Sequence, residues 1–114
     1  YIIQKGAQAV FSPEGQEETK TMISVYRKNA EVISQALSQK EILFFGGLHS
    51  PYIWMKCPEG LSSWEFFDEL LRRCSVVGTP GAGFGTNGEG FFRLTSFGSY
   101  EDTCEAMERF SKAF

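Results

Sequence analysis

Apolar residues fall at helical spacing after the triplet Ser12-Pro13-Glu14. Met22, Tyr26, Ile33 and Leu37 lie on one stripe, and the spacing predicts a helix from about Pro13 to Gln39. Ser12 offers a hydroxyl to the free amides, Pro13 fits the first turn, and Glu14 faces the positive end of the helix dipole. At 1.5 Å per residue such a helix is on the order of 40 Å long, more than a domain of this size covers, so it is expected to lean on a neighbour.

The pattern then shortens. Ile42-Leu43-Phe44-Phe45 reads as a strand stopped by Gly46-Gly47, and Pro51 precedes a second strand, Tyr52 to Cys57, closed by Pro58-Glu59-Gly60. Ser62 and Glu65 form a capping box ahead of a helix whose Phe66, Phe67, Leu70, Leu71 and Cys74 make one apolar face. Val76-Val77 reads as a third strand, followed by a glycine-rich loop from Gly78 to Gly90 and a fourth strand from Phe91 to Phe97. Ser99 with Asp102 starts a last helix, with Cys104, Met107, Phe110 and Phe114 facing inward. There is no internal repeat or low-complexity stretch. The elements sum to a single α+β domain over residues 1–114, a small mixed β-sheet packed against about three helices.

Composition narrows the function classes. The chain has 114 residues, 42% hydrophobic and 22% charged, which is an ordinary globular balance with enough length for one buried core. Lys+Arg 11 against Asp+Glu 14 gives a net charge of -3, which argues against a phosphate-binding nucleic-acid surface. No apolar run approaches the ~18 residues of a membrane span. Cys57, Cys74 and Cys104 form no CxxC pair and read as reduced thiols of a cytosolic-type compartment. The first methionine is Met22, and the opening residues 1–11 look like the inside of an amphipathic element, without the charged and apolar regions of a signal peptide. A piece of a longer protein is expected.

Several motifs invite chemistry. Gly83-Phe84-Gly85-Thr86-Asn87-Gly88 matches GxGxxG, yet Phe91 to Thr95 then reads as a strand, and without a following helix no dipole points at a phosphate. A tight loop between strands suits these glycines better. His49, the only histidine, lacks ligand-spaced partners, so no metal site is expected, and a polar loop position is favoured over a Cys-His nucleophile pair. Tyr52 and Trp54 share one strand face, for which core is the default reading and a small-molecule contact the alternative. Arg93 stands out among Phe91, Phe92, Leu94 and Phe97. A guanidinium there is costly unless an anion satisfies it, and its planar fork suits a carboxylate. The competing readings are an ion pair with Glu89 or a side chain reaching solvent from an edge strand.

Val76-Val77-Gly78-Thr79-Pro80-Gly81-Ala82-Gly83-Phe84-Gly85 and Gly88-Glu89-Gly90-Phe91-Phe92-Arg93-Leu94-Thr95 together resemble the C-terminal signature of class I/II aminotransferases, pyridoxal-phosphate enzymes of fold type I. Ser50-Pro51-Tyr52-Ile53-Trp54-Met55-Lys56, Ser62-Ser63-Trp64-Glu65-Phe66-Phe67-Asp68, Tyr1-Ile2-Ile3-Gln4 and Phe11-Ser12-Pro13-Glu14-Gly15 are similar to the LL-diaminopimelate aminotransferase branch of that family. The loop His49-Ser50 departs from the branch's pattern, which is closer to Asn-Ala.

The resemblance implies a small domain that closes over substrate in a homodimeric enzyme, with the long helix leading to the large domain of the same chain. It also implies amino transfer from glutamate to tetrahydrodipicolinate in lysine biosynthesis, in the cytoplasm or, in a plant or alga, the plastid. Arg93 aligns with the family arginine that grips the substrate α-carboxylate. The family's aldimine lysine lies in a Ser-x-Ser-Lys-like setting, and none of Lys5, Lys20, Lys28, Lys40, Lys56 or Lys112 sits in one. Residues 1–114 by themselves are therefore expected to hold no catalytic or cofactor-binding residue and to be inactive. Two alternatives stay open: the small domain of another class I/II aminotransferase, and a non-catalytic partner-binding domain of the same fold.

Overall fold

The computed structural model describes residues 1–58 and 60–114; Glu59, part of the expected Pro58-Glu59-Gly60 turn, lies outside them. The long helix α2 spans Pro13–Gln39 as its spacing predicts, and Ser12 Oγ accepts from the Gly15 amide at 3.0 Å. It is preceded by a helix read from sequence only as an amphipathic element, α1, Ile2–Ala9, none of whose residues is buried. The turn between them is tight: a Cβ on Gly15 would be driven into the Ala9 carbonyl. Buried residues of α2 begin at Asn29, so Met22 stays exposed and the first half of the helix projects beyond the body of the domain.

The first strand starts later than the apolar run suggests. Glu41 adopts φ 55°, the Ile42 amide donates to the Leu37 carbonyl and the Glu41 amide to that of Ser38, the two bonds that close a helix end around a left-handed residue. Ile42 is thereby used as the apolar plug of the helix terminus, and β1 is Phe44–Gly46. Strand β2 is Tyr52–Lys56, helix α3 Ser63–Cys74, β3 Thr79–Pro80, β4 Phe91–Thr95 and α4 Tyr100–Ala113.

The α+β class holds. Three helices, α2, α3 and α4, pack on the sheet as expected, and α1 adds a fourth that buries nothing. The expected mixed sheet needs correction, because the sheet runs β1-β2-β4-β3 with each neighbouring pair antiparallel. The third strand is not Val76-Val77. Ser75 turns the chain out of α3 at φ 55°, Val77 is left exposed, and pairing starts only where Thr79 meets Arg93.

One face of the sheet carries the core. Ile53 and Met55 of β2 and Phe92 and Leu94 of β4 meet Ile33 and Leu37 of α2, Phe66 and Leu70 of α3 and Phe110 of α4, all within a few percent of full burial. Phe66 sits edge-on to Phe92 at 4.9 Å. Leu71, assigned to the apolar face of α3 by its spacing, is instead 44% exposed. A buried polar tie joins sheet and helix: Asn29 Nδ2 donates to the Ser96 carbonyl at 3.0 Å and to that of Gly98 at 2.7 Å, anchoring the exit of β4 on α2.

The caps of α3 and α4 form as read. Ser62 and Glu65 exchange bonds in a capping box, and Ser99 Oγ accepts from the Asp102 amide at 3.1 Å. Among the described residues no helix is long and apolar enough to cross a membrane.

Candidate functional site

The site lies on the other face of the sheet, where β2 presents Tyr52, Trp54 and Lys56 and β4 presents Phe91, Arg93 and Thr95. Alternation along a strand makes these residues neighbours, and the core residues of α2, α3 and α4 pack on the opposite face. Tyr52 and Trp54 therefore do not belong to the core, which was their default reading. They frame Arg93 instead: Trp54 is its direct partner across the ladder, and Tyr52 lies diagonally two residues away.

Arg93 is half-buried, and its guanidinium carbon sits 4.5 Å from the centroid of the Tyr52 ring and 4.5 Å from that of Phe84. Phe84 ends a short 3₁₀ turn, Gly81–Phe84, and meets Trp54 edge-on at 5.1 Å. On the far side Tyr52 touches Phe97 at 5.8 Å, which in turn touches Tyr26 of α2 at 5.1 Å. The result is an aromatic band with a single cation set into it. Among the described residues no carboxylate lies within 4.0 Å of Arg93, and its buried Nε has no acceptor. A donor enclosed without a partner is unfavourable, so Arg93 is an exception among buried polar groups that calls for an explanation.

Glu89, the expected structural partner of Arg93, is engaged elsewhere. Its carboxylate accepts from the Ser63 amide at 2.8 Å, the Ser63 hydroxyl at 3.0 Å and the Gly90 amide at 3.0 Å. The Ser63 amide opens α3, so the helix dipole also favours the charge there. The other expected alternative, a side chain reaching into solvent from an edge strand, fails because β4 is interior, between β2 and β3.

The Ser63 backbone bond, followed by the Gly90 and Ser63 hydroxyl bonds, holds the Glu89 carboxyl below its ordinary value of 4.5. A depressed folded-state pKa means that this stabilisation is complete above the ordinary carboxylate range and is lost as pH falls through the folded value. The urea midpoint of the protein is accordingly expected to drop more steeply below pH 4.5 than that of the Glu89→Gln variant, whose loop linkage does not titrate. Superimposable acid profiles would remove Glu89 from the loop's anchoring.

The glycine loop serves a packing role. A Cβ on Gly81 would be driven into the Gly88 and Phe91 carbonyls, and one on Gly88 into the Gly81 carbonyl. The GxGxxG stretch ends in a second 3₁₀ turn, Thr86–Gly88, and leads into β4, so there is no α-helix N-terminus behind it. The tight-loop reading is the one the structure supports.

His49 is exposed beside an open groove of about 390 Å³ between α2 and the β1–β2 loop, lined also by Tyr26, Arg27, Leu48, Pro51 and Ser96. No cysteine lines that groove. Burial, with Glu89 adding to it, pushes the Cys57 thiol up to about 11, and burial also raises that of Cys74. Both shifts oppose thiolate formation, so a Cys-His nucleophile pair is not assembled here. Among the described residues no group of three or more His, Cys, Asp or Glu side chains is gathered to hold a metal.

Pyridoxal phosphate needs a lysine amine, an acid at the pyridine nitrogen and a phosphate cradle. Lys56 lies on the Arg93 face at the far end of β2, and it is exposed to solvent. Gly81 and Gly88 are occupied by each other's backbone, where a Cβ on either would meet a carbonyl oxygen, so these two glycines serve the crossing. Among the described residues, the Arg93 face does not gather the lysine, the acid and the phosphate cradle that the cofactor needs.

A two-layer α+β domain with an arginine on the interior strand after a glycine-rich crossing defines a class, and comparison with known proteins names it. The family Aminotransferase class I and II matches residues 2–110, and the chain belongs to that family, whose members generally depend on pyridoxal phosphate. Within it, the chain is 56% identical over 113 residues to an LL-diaminopimelate aminotransferase of Lawsonia intracellularis (strain PHE/MN1-00), covering 99% of this chain and 28% of the relative.

Among solved structures, L,L-diaminopimelate aminotransferase from Chlamydomonas reinhardtii superposes with a TM-score of 0.94 at 42% identity, over 99% of this chain and 28% of that one. An aromatic aminotransferase from Pyrococcus horikoshii OT3 superposes with a TM-score of 0.85 at 26% identity, over 93% of this chain and 29% of that one. The chain thus spans a little over a quarter of the length of these relatives.

Sequence reasoning singled out Arg93 but missed Phe84 as its neighbour and Ser63 as the partner of Glu89. The signal for Phe84 was an aromatic side chain between two glycines, Gly83 and Gly85, where a loop residue would ordinarily be polar.

Proposed function

We propose that this chain is the small domain of an LL-diaminopimelate aminotransferase, which transfers an amino group from glutamate to tetrahydrodipicolinate in lysine biosynthesis, and that Arg93 binds the substrate α-carboxylate. The observation that carries this reading is a guanidinium set between aromatic rings on the uncovered sheet face, with an enclosed Nε and no counter-charge among the described residues. The names of the relatives at 56% and 42% identity supply the substrate class.

Arg93 contributes binding and orientation. A carboxylate approaching the edge of the planar fork accepts two parallel bonds, which fixes both the distance and the plane of the substrate. The aromatic surround lowers the local dielectric and strengthens that pairing. Pyridoxal phosphate, held by residues outside this chain, supplies the electron sink for amino transfer. The uncovered face with Phe45, Tyr52, Phe84 and Phe97, each more than a third exposed, supports docking against a large domain of the same polypeptide. In that setting the protein works as a homodimer, in the cytoplasm or, in a plant or alga, the plastid.

Arg93→Lys in the full-length enzyme is expected to raise KM for dicarboxylic amino acids and lower kcat, with kcat/KM falling roughly tenfold to a hundredfold, because one ammonium cannot replace the fork. Unchanged kinetics would sink the carboxylate role. Similarity to an aromatic aminotransferase favours a second reading, the same chemistry on another amino acid. Amino-donor profiling separates the two: preference for an aromatic donor over glutamate would select the latter.

A further inference from the structure

The aromatic neighbours of Arg93 do more than line the site. A guanidinium is a flat group with two faces and an edge, and only the edge donates hydrogen bonds. Here its carbon lies 4.5 Å from the centroid of each of two rings, Tyr52 and Phe84, which make no ring contact with each other. One ring comes from strand β2, the other from the loop before β4, so the group is held between two separate parts of the chain. Among the described residues no salt bridge orients the group and its enclosed Nε has no acceptor, which leaves the two rings as the neighbours able to set its plane.

We infer that Phe84, with Tyr52, is a positioning residue: the two rings clamp the Arg93 guanidinium by its faces and hold its hydrogen-bonding edge toward the incoming substrate carboxylate. The inference rests on the carboxylate-binding reading of Arg93. Three features single out Phe84. Its ring is half exposed, so burial alone does not explain an aromatic there. It is also braced edge-on by Trp54, which fixes its tilt. Its backbone ends the turn pinned by the Gly81–Gly88 crossing, so the loop's close packing sets where the ring stands. Pre-ordering the fork removes the loss of side-chain freedom that carboxylate binding would otherwise entail.

The test uses the full-length enzyme with Phe84→Leu, which keeps an apolar group of similar size without a π face, and Phe84→Tyr, which keeps the face. Phe84→Leu is expected to raise KM for glutamate and the inhibition constant of glutarate together, by about fivefold to tenfold, the size expected of a partly buried cation–π contact. Its kcat should stay within about twofold, as for a loss of binding common to ground and transition states. Its urea unfolding should remain a single transition, shifted by no more than the loss of one or two surface aromatic contacts. Phe84→Tyr should restore both constants to within about twofold of the parent. If Phe84→Leu leaves both constants unchanged while Arg93→Lys weakens them, the clamp is wrong and Arg93 keeps its role. If neither variant changes them, the carboxylate reading fails and takes the clamp with it. Equal impairment in the leucine and tyrosine variants, or a Phe84→Leu protein that is substantially unfolded under assay conditions, would show that shape or folding and not the π face is at work, and would overturn the inference.

Discussion

Truncating Phe66 to alanine is expected to destabilise the domain by about 3–5 kcal/mol, a large part of the roughly 5–15 kcal/mol that holds a domain of this size together. Phe66 is fully buried, edge-on to Phe92 of the sheet at 4.9 Å and to Phe114 at the end of the chain at 5.4 Å. It thus joins α3, the core face of the sheet and the terminus of α4 at one point. Its removal forfeits the transfer free energy of a phenyl ring and leaves a void that three elements would have to close together. Leu71, five residues on in the same helix and 44% exposed, is the control, and Leu71→Ala is expected to cost less than about 1 kcal/mol. Urea denaturation of both variants measures the contrast. Equal losses would mean that α3 packs by a different face from the one described.

The second large effect belongs to Gly81. Alanine there is expected to cost about 2–3 kcal/mol, because its Cβ would press into the Gly88 and Phe91 carbonyl oxygens and backbone cannot step aside as a side-chain tip can. The loop would have to open, carrying Phe84 away from Arg93, so substrate affinity should fall along with stability. Gly83→Ala, two residues away in the same loop, places its Cβ where nothing lies within 4 Å and should be close to neutral. Thermal midpoints of the two variants settle whether the crossing, and not glycine content as such, is what the loop needs. A neutral Gly81→Ala would refute the close approach.

The contrast between Gly81 and Gly83 also marks how far the sequence could be read. That stretch shows a glycine-rich loop between strands, and the strand pattern after Gly90 is enough to exclude a dinucleotide fold. It does not reveal which glycine faces a carbonyl, because that depends on two segments meeting across the loop. Caps read well for the same reason in reverse: Ser12, Ser62 and Ser99 act on amides three residues ahead, within reach of local spacing alone. The third strand was misjudged at Val76-Val77 because β-branched residues mark strands only where a partner is available, and the partner register begins at Thr79.

Arg93 shows both sides of the division. Its setting among Phe91, Phe92, Leu94 and Phe97 was enough to argue that a charge so placed needs an anion. Tyr52 and Trp54 were visible as one strand face, but period-two alternation says only that two faces exist, not which one is covered. Three helices stacked on the Ile53–Met55 side decided that, leaving the other side open as an aromatic band. Glu89 found its partner at Ser63, twenty-six positions away, and so was released from the role of counter-ion.

Local spacing and chain chemistry by themselves thus determined the three capped helices α2, α3 and α4, their starts, the α+β class and the unusual setting of Arg93. The antiparallel order of the strands, the uncovered face and the aromatic hold on Arg93 were decided by tertiary structure. They arise from contacts between segments distant in sequence, whose energies become comparable only once the chain has brought them together.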